Sequence, residues 1–185
     1  MEHTFHFNNC MAETGVYLAL RKTLGPLTFP PVILCIGSDL AVGDSLGPVT
    51  GTMLQKKDGS FSGYIYGTLK NPITAKEAKY LSAFFRCTHP HSKIIAVDAA
   101  VGADSDIGLI KVVSQPLQPG AGANKKLPKI GDVSVLGIVA KKSPLTYALF
   151  NLTRMGVVYS MAEIIANSIQ NLTNECCENL SKTVS

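Results

Sequence analysis

Two short apolar runs, each leading into an aspartate, constrain this chain more than any other feature. Pro31-Val32-Ile33-Leu34-Cys35-Ile36 runs into Gly37-Ser38-Asp39-Leu40-Ala41-Val42-Gly43-Asp44-Ser45-Leu46-Gly47-Pro48, and Lys93-Ile94-Ile95-Ala96-Val97 runs into Asp98. Aliphatic segments of this length, without polar alternation, suit strands covered on both faces, as in a parallel sheet between helical layers. Helical spacing separates the two runs. Leu46, Val49, Met53 and Leu54 recur to about Lys57, with Pro48 placed where only a first helical turn tolerates it. Thr74-Ala75-Lys76-Glu77 is a capping-box pattern that opens a further helix to about Arg86. Strand and helix in alternation predict a three-layer α/β/α fold with a mostly parallel sheet. Asp44 and Asp98 are then expected at strand C-terminal ends, the edge where open α/β sheets place their ligands.

The remaining chain fits around that frame as one expected domain over residues 1–185. Residues 1–30 read as an N-terminal helix, from Met11 to about Leu24, followed by a linker. Residues 31–172 read as the α/β core, with further strands at Phe61 to Leu69, Leu109 to Val113 and Val133 to Val139. Gln115 to Lys129, rich in proline and glycine, reads as a long functional loop. The last helix is expected from about Thr153 to Leu172, and residues 173–185 as a flexible polar tail.

Composition narrows the function. The 185 residues are 46% hydrophobic and 16% charged, which suits a folded α/β domain and not a disordered chain. The net charge of +4 comes from scattered pairs such as Lys56-Lys57 and Lys141-Lys142, with no basic stripe interleaved with aromatics. Nucleic acid is therefore not an expected partner. No apolar run approaches the roughly 20 residues of a membrane helix, and no leader peptide is expected at Met1-Glu2-His3-Thr4-Phe5-His6. Five cysteines without a Cys-x-x-Cys pair suit a reducing cytoplasm, with Cys35 and Cys87 expected as buried thiols. An oligomer is compatible with all of this.

The glycine-rich loop is not a phosphate cradle. The residue after Gly43 is Asp44, where a P-loop needs lysine, and Gly-x-Gly-x-x-Gly spacing is absent. Asp39 and Asp44 would repel a phosphate at that helix end. Singly, Asp44 and Asp98 suit helix capping, an aspartate role worth about 1 kcal/mol. Together they suit chemistry. Neighbouring parallel strands lie about 4.8 Å apart, so two carboxylates at adjacent ends must share a proton or bind a cation. Asp44 and Asp98 are the candidate catalytic pair. Gly37, Ser38, Asp39, Gly43, Gly120 and Lys125 are the candidate substrate-binding positions, with backbone N–H groups of Gly37, Ser38 and Gly43 as oxyanion donors. No cofactor is expected. The alternative is a divalent metal held by Asp44, Asp98 and Asp132. His89 and His91 precede the Asp98 strand and are expected at the opposite sheet edge, on the surface.

Ile36 to Pro48 resembles the first motif of germination (spore) proteases, and Ile95-Ala96-Val97-Asp98-Ala99 resembles their second aspartate motif. Leu117-Gln118-Pro119-Gly120-Ala121-Gly122-Ala123-Asn124-Lys125-Lys126 resembles their Pro-Gly-rich loop, and Gly131 to Val139 the strand after it. The chain also resembles the smaller YyaC-type sporulation proteins, which are spore-protease-like, and, in its first two motifs, hydrogenase maturation endopeptidases. The resemblance implies a phosphorylase/hydrolase-like fold and a sporulation-associated endopeptidase of aspartic type; the alternatives are a metal-binding maturation-type peptidase and a non-catalytic sporulation binding or regulatory protein on the same fold. It also implies a protein or peptide substrate such as small spore proteins, and a location in the forespore or spore interior. By the first likeness Asp44 and Asp98 map to a catalytic pair. By the second they map to metal ligands whose third partner is a histidine, yet no histidine follows His91 in this chain.

Overall fold

The computed structural model describes residues 1–57, 61–119, 128–143 and 150–184. Among them are six strands: β1 (Glu2–His6), β2 (Val32–Cys35), β3 (Tyr64–Tyr66), β4 (Ile94–Gly102), β5 (Leu109–Val113) and β6 (Val133–Lys141). They form one sheet in the order β1-β5-β6-β4-β2-β3. β3, β2, β4 and β6 run parallel to one another, and β5 runs antiparallel between β6 and β1. Four helices are described: α1 (Ala12–Leu24), α2 (Leu46–Gln55), α3 (Ala75–Thr88) and α4 (Met155–Val184).

All four residues of β2 are buried, as its aliphatic composition requires. Alternate residues serve opposite layers. Ile33 and Cys35 join Ile95, Val97, Val133 and Val135 in a core closed by Val16 and Leu20 of α1, Leu46 and Val49 of α2, and Met161 and Ile165 of α4. Val32, Leu34, Ile36 and Ala96 face the other way, against Ala78 and Phe85 of α3. The expected three-layer α/β/α architecture with a mostly parallel sheet is the one observed. The capping box at α3 is also present. Thr74 N–H donates to Glu77 Oε2 at 2.8 Å, and these bonds hold the Glu77 carboxyl below its ordinary value.

The core expected over residues 31–172 takes in more chain at both ends. Residues 2–6 are strand β1, paired with β5 from Glu2↔Val113 to His6↔Leu109. Its sequence, Glu-His-Thr-Phe-His, has too little apolar alternation to stand out, because an edge strand buries so little. The ring of Phe5 fills the space left open by Gly15 of α1, where a side chain would collide with it. At the other end, the expected tail at 173–185 is helical to Val184. The apolar spacing of Ile169, Leu172 and Cys176 continues the buried stripe, and Thr173 is wholly buried. Glu175, read as tail, pairs with Arg21 at 3.0 Å and accepts from the Tyr17 hydroxyl at 2.9 Å. Cys87, expected to be buried, is exposed on α3, while Cys35 and Cys176 are buried. Burial pushes the Cys35 thiol up to about 12.

Two strand boundaries also differ from expectation. β3 is only Tyr64–Tyr66 because Gly67 turns there at φ +93°, passing so close to β2 that any side chain would strike the Cys35 carbonyl. β4 runs on past Val97 to Gly102, paired throughout with β6. Helix α2 lies unusually close to the sheet. Side chains at Gly47 and Gly51 would collide with the backbone carbonyls of Ile36 and Gly67. Alanine is ordinarily about 1 kcal/mol better than glycine inside a helix. At Gly51 the sign reverses: Gly51→Ala lowers stability by on the order of 2 kcal/mol. Gly156→Ala in α4, with open space around it, raises stability by about 0.5 kcal/mol. Urea unfolding of both variants beside the parent checks the pair.

Candidate active site

The backbone around the first aspartate is tightly fixed. Gly37 follows β2 with φ +143°, and a side chain there would collide with the carbonyl oxygen of Asp44. That carbonyl accepts the Ser38 N–H at 3.1 Å, while Asp44 N–H donates to the Ala41 carbonyl at 3.0 Å. The turn thus closes on itself and feeds a 3-10 turn, Val42–Ser45, that leads into α2. Ser45 Oγ donates to the Val42 carbonyl at 2.7 Å. Gly43 is wedged against Phe150 and Thr153. Asp44 is left half-buried at the end of β2.

The second aspartate is placed by unequal strand lengths. Asp98 lies inside β4, not at its end as expected. β2, however, stops at Cys35, opposite Val97. Asp98 is therefore the first residue of β4 beyond the β2 ladder, with β6 on one side at Leu136 and the Ile36–Gly37 turn on the other. It is 9% exposed. Burial raises its carboxyl well above the ordinary value, and the charge of Asp44 raises it further; one N–H, from Ala99 to Oδ1 at 2.9 Å, works the other way. The structure brings Asp44 and Asp98 close enough to couple electrostatically, and it makes Asp98 the member that favours its proton.

The other candidate positions are not all part of this arrangement. Ser38 is half-buried and its Oγ accepts the Leu40 N–H at 3.2 Å. Asp39 is exposed on the same turn. The N–H of Gly37 is given to the Ile73 carbonyl and that of Ser38 to the Asp44 carbonyl. Neither serves an oxyanion, so that expectation is corrected for both. Gly120 and Lys125 lie outside the described residues. Asp132 is at the wrong edge. Its Oδ2 accepts the Ile94 N–H at 2.8 Å and its own N–H returns to the Ile94 carbonyl, so it caps the start of β4, about 13 Å from Asp98 at strand rise. The four-residue spacing of Gly47 and Gly51, a signal the sequence carries, marks the α2 face that must approach the ends of β2 and β3.

The metal set Asp44, Asp98 and Asp132 is not assembled, because Asp132 is bonded to Ile94 at the far end of β4. Among the described residues no three of His, Cys, Asp and Glu gather at metal-binding distance. His3 and His6 stand on β1, three strands from β4, about 14 Å away. His89 and His91 lie before β4, at the opposite edge, as expected. His91 is exposed and stacks on Phe29, while His89 is half-buried and bonds the Tyr66 hydroxyl at 2.8 Å. No helix among the described residues is long and apolar enough to cross a membrane.

Comparison with known proteins places this geometry. The fold matches that of the [NiFe] hydrogenase maturation protease HycI from Thermococcus kodakarensis KOD1, with a TM-score of 0.55 over 83% of this chain and 97% of that one, at 16% identity. At that identity the likeness is one of fold. In sequence, the chain is 36% identical over 157 residues to the "Uncharacterized protein YyaC" of Bacillus subtilis (strain 168), covering 85% of this chain and 75% of that protein. Residues 4–168 match the model of the family described as "Protein of unknown function (DUF1256)". By the extent of that match, which takes in both aspartates and strands β2 to β6, the chain belongs to the DUF1256 family.

Proposed function

We propose that this protein is an endopeptidase that hydrolyses peptide bonds with the Asp44–Asp98 pair, and that it acts on protein substrates during sporulation. The observation that carries the reading is the asymmetry of the pair. One carboxyl is buried and held to its proton by desolvation and by its neighbour's charge; the other, on the turn after β2, is half-buried. Such a split is what a paired-carboxylate hydrolase requires.

The chemistry follows from the assignment. Asp44, ionised, takes a proton from a water molecule as its oxygen attacks the scissile carbonyl carbon. Asp98 gives its proton to the carbonyl oxygen as the double bond opens. Collapse of the resulting gem-diol returns one hydroxyl proton to Asp98, restores the carbonyl, breaks the C–N bond and passes the proton held by Asp44 to the leaving amine. Protonation by Asp98 keeps negative charge off the carbonyl oxygen, while the Gly37 and Ser38 N–H groups stay bonded within the fold. Lys125, on the Pro-Gly-rich loop, is a candidate substrate contact. The likeness to germination proteases supports small spore proteins as substrates and the forespore as the place of action.

The test is cleavage of a spore-protein extract by the purified chain and its variants. Asp44→Asn and Asp98→Asn should each lower the rate on the order of a thousandfold; a variant that cuts as well as the parent removes that residue from the mechanism. Activity should also fall as pH rises through the elevated Asp98 value, because the ionised form has no proton to give.

Stability carries the same signature. In the window from the ordinary carboxyl value up to the raised one, the folded chain holds a proton that the unfolded chain has lost. Stability therefore declines as pH rises through that window, by about 1.4 kcal/mol per pH unit. Asp98→Asn removes the titration. Thermal unfolding should show the variant gaining on the parent at alkaline pH and losing that advantage in acid.

A further inference from the structure

Among the described residues the two most exposed large apolar side chains are Leu40, 82% exposed, and Leu152, 77% exposed. Single exposed leucines are ordinary on protein surfaces. These two lie on neighbouring segments. Leu40 lies on the turn between Gly37 and Asp44, fixed by its N–H bond to Ser38 Oγ at 3.2 Å. Leu152 lies between Phe150 and Thr153, the two residues against which Gly43 is wedged. The two segments meet at Gly43, beside Asp44. Met155 extends the patch. It continues the α4 stripe of Val158 and Ala162, both wholly buried, yet is 46% exposed itself. The apolar stripe thus runs out uncovered at the sheet edge that carries the acid pair.

We infer that Leu40, Leu152 and Met155 form an apolar lip that receives a hydrophobic side chain of an extended polypeptide, next to the bond presented to Asp44 and Asp98. The inference rests on the hydrolase reading and adds a substrate preference to it. Size argues for this occupant. Three side chains offer well under the roughly 800 Å² per partner that a stable association of folded surfaces buries. One or two apolar side chains on an unfolded strand match that area. They would also bring main chain, with its carbonyl, over the acid pair.

Fluorescence anisotropy with labelled Gly/Ser peptides, carrying either a central Leu-Phe or a central Ser-Ser, tests the lip. The full chain is used as Asp98→Asn, so that binding is read without turnover. The Leu-Phe peptide should bind about tenfold more tightly. Leu40→Ser and Leu152→Ser should each lose part of that preference and the double variant nearly all of it, with melting temperatures unchanged. Equal binding of the two peptides, or a preference that survives in the double variant, overturns the inference. So does a preference that disappears only together with a shift in oligomeric state, which would make the lip a contact between copies. Leucine-dependent binding of a peptide that the parent chain never cuts would instead sink the hydrolase reading and leave the lip standing.

Discussion

Everything at the candidate site depends on how closely backbone packs against backbone at the end of β2. The Asp44 carbonyl occupies the place where residue 37 would carry a Cβ, and the Ile36 and Gly67 carbonyls occupy the corresponding places at residues 47 and 51. No side-chain adjustment can relieve such contacts, because the blocking atoms are main chain. The result is a turn whose carbonyl is hydrogen-bonded to Ser38 N–H and whose helix cannot drift from the sheet. A carboxylate mounted on this turn starts from a backbone position that the fold sets. Geometry of this kind is built before any ligand arrives.

The environment of Asp98 has a different origin. A strand that outlasts its neighbour leaves its next residue beside a turn instead of a ladder. There the side chain is shielded by the surrounding chain without being fully hydrogen-bonded. Ala99 N–H stabilises the charged form, set against burial and a second carboxylate. Desolvation prevails, and the group keeps its proton. Position and protonation are thus set by separate devices: close glycine packing for Asp44, strand length for Asp98.

Much of this was legible in the residues, for a physical reason. β2, α3 and the interior of β4 and β6 announce themselves because burial on both faces, or a capping box, demands particular residue types. Alternation predicts that these strands run parallel but not their order; the order that sets β4 beside β2 is what brings the two aspartates together. What escaped was decided by tertiary context. β1 is an edge strand with little to bury. The last turns of α4 look polar because Glu175 and its neighbours serve α1 and not solvent. Asp132 reads as a free acid near the site, when its oxygen is satisfied at the far end of β4 by Ile94 N–H. The blocked N–H groups of Gly37 and Ser38 have no trace in a linear sequence. Their partners, Ile73 and Asp44, become neighbours only once the chain has folded.

The first strand has a consequence for how this molecule comes to be made. The residue before that strand, Met1, accepts hydrogen bonds at its backbone carbonyl from Ser114, 113 positions further on. During synthesis β1 must therefore wait for its partner strand until residue 114 has left the ribosome. Closing so long a loop is entropically slow. Until it closes, β5 presents an open rim of hydrogen-bonding groups to any passing strand. The interval between emergence and capture is the stage at which a nascent copy of this chain is most exposed to mispairing.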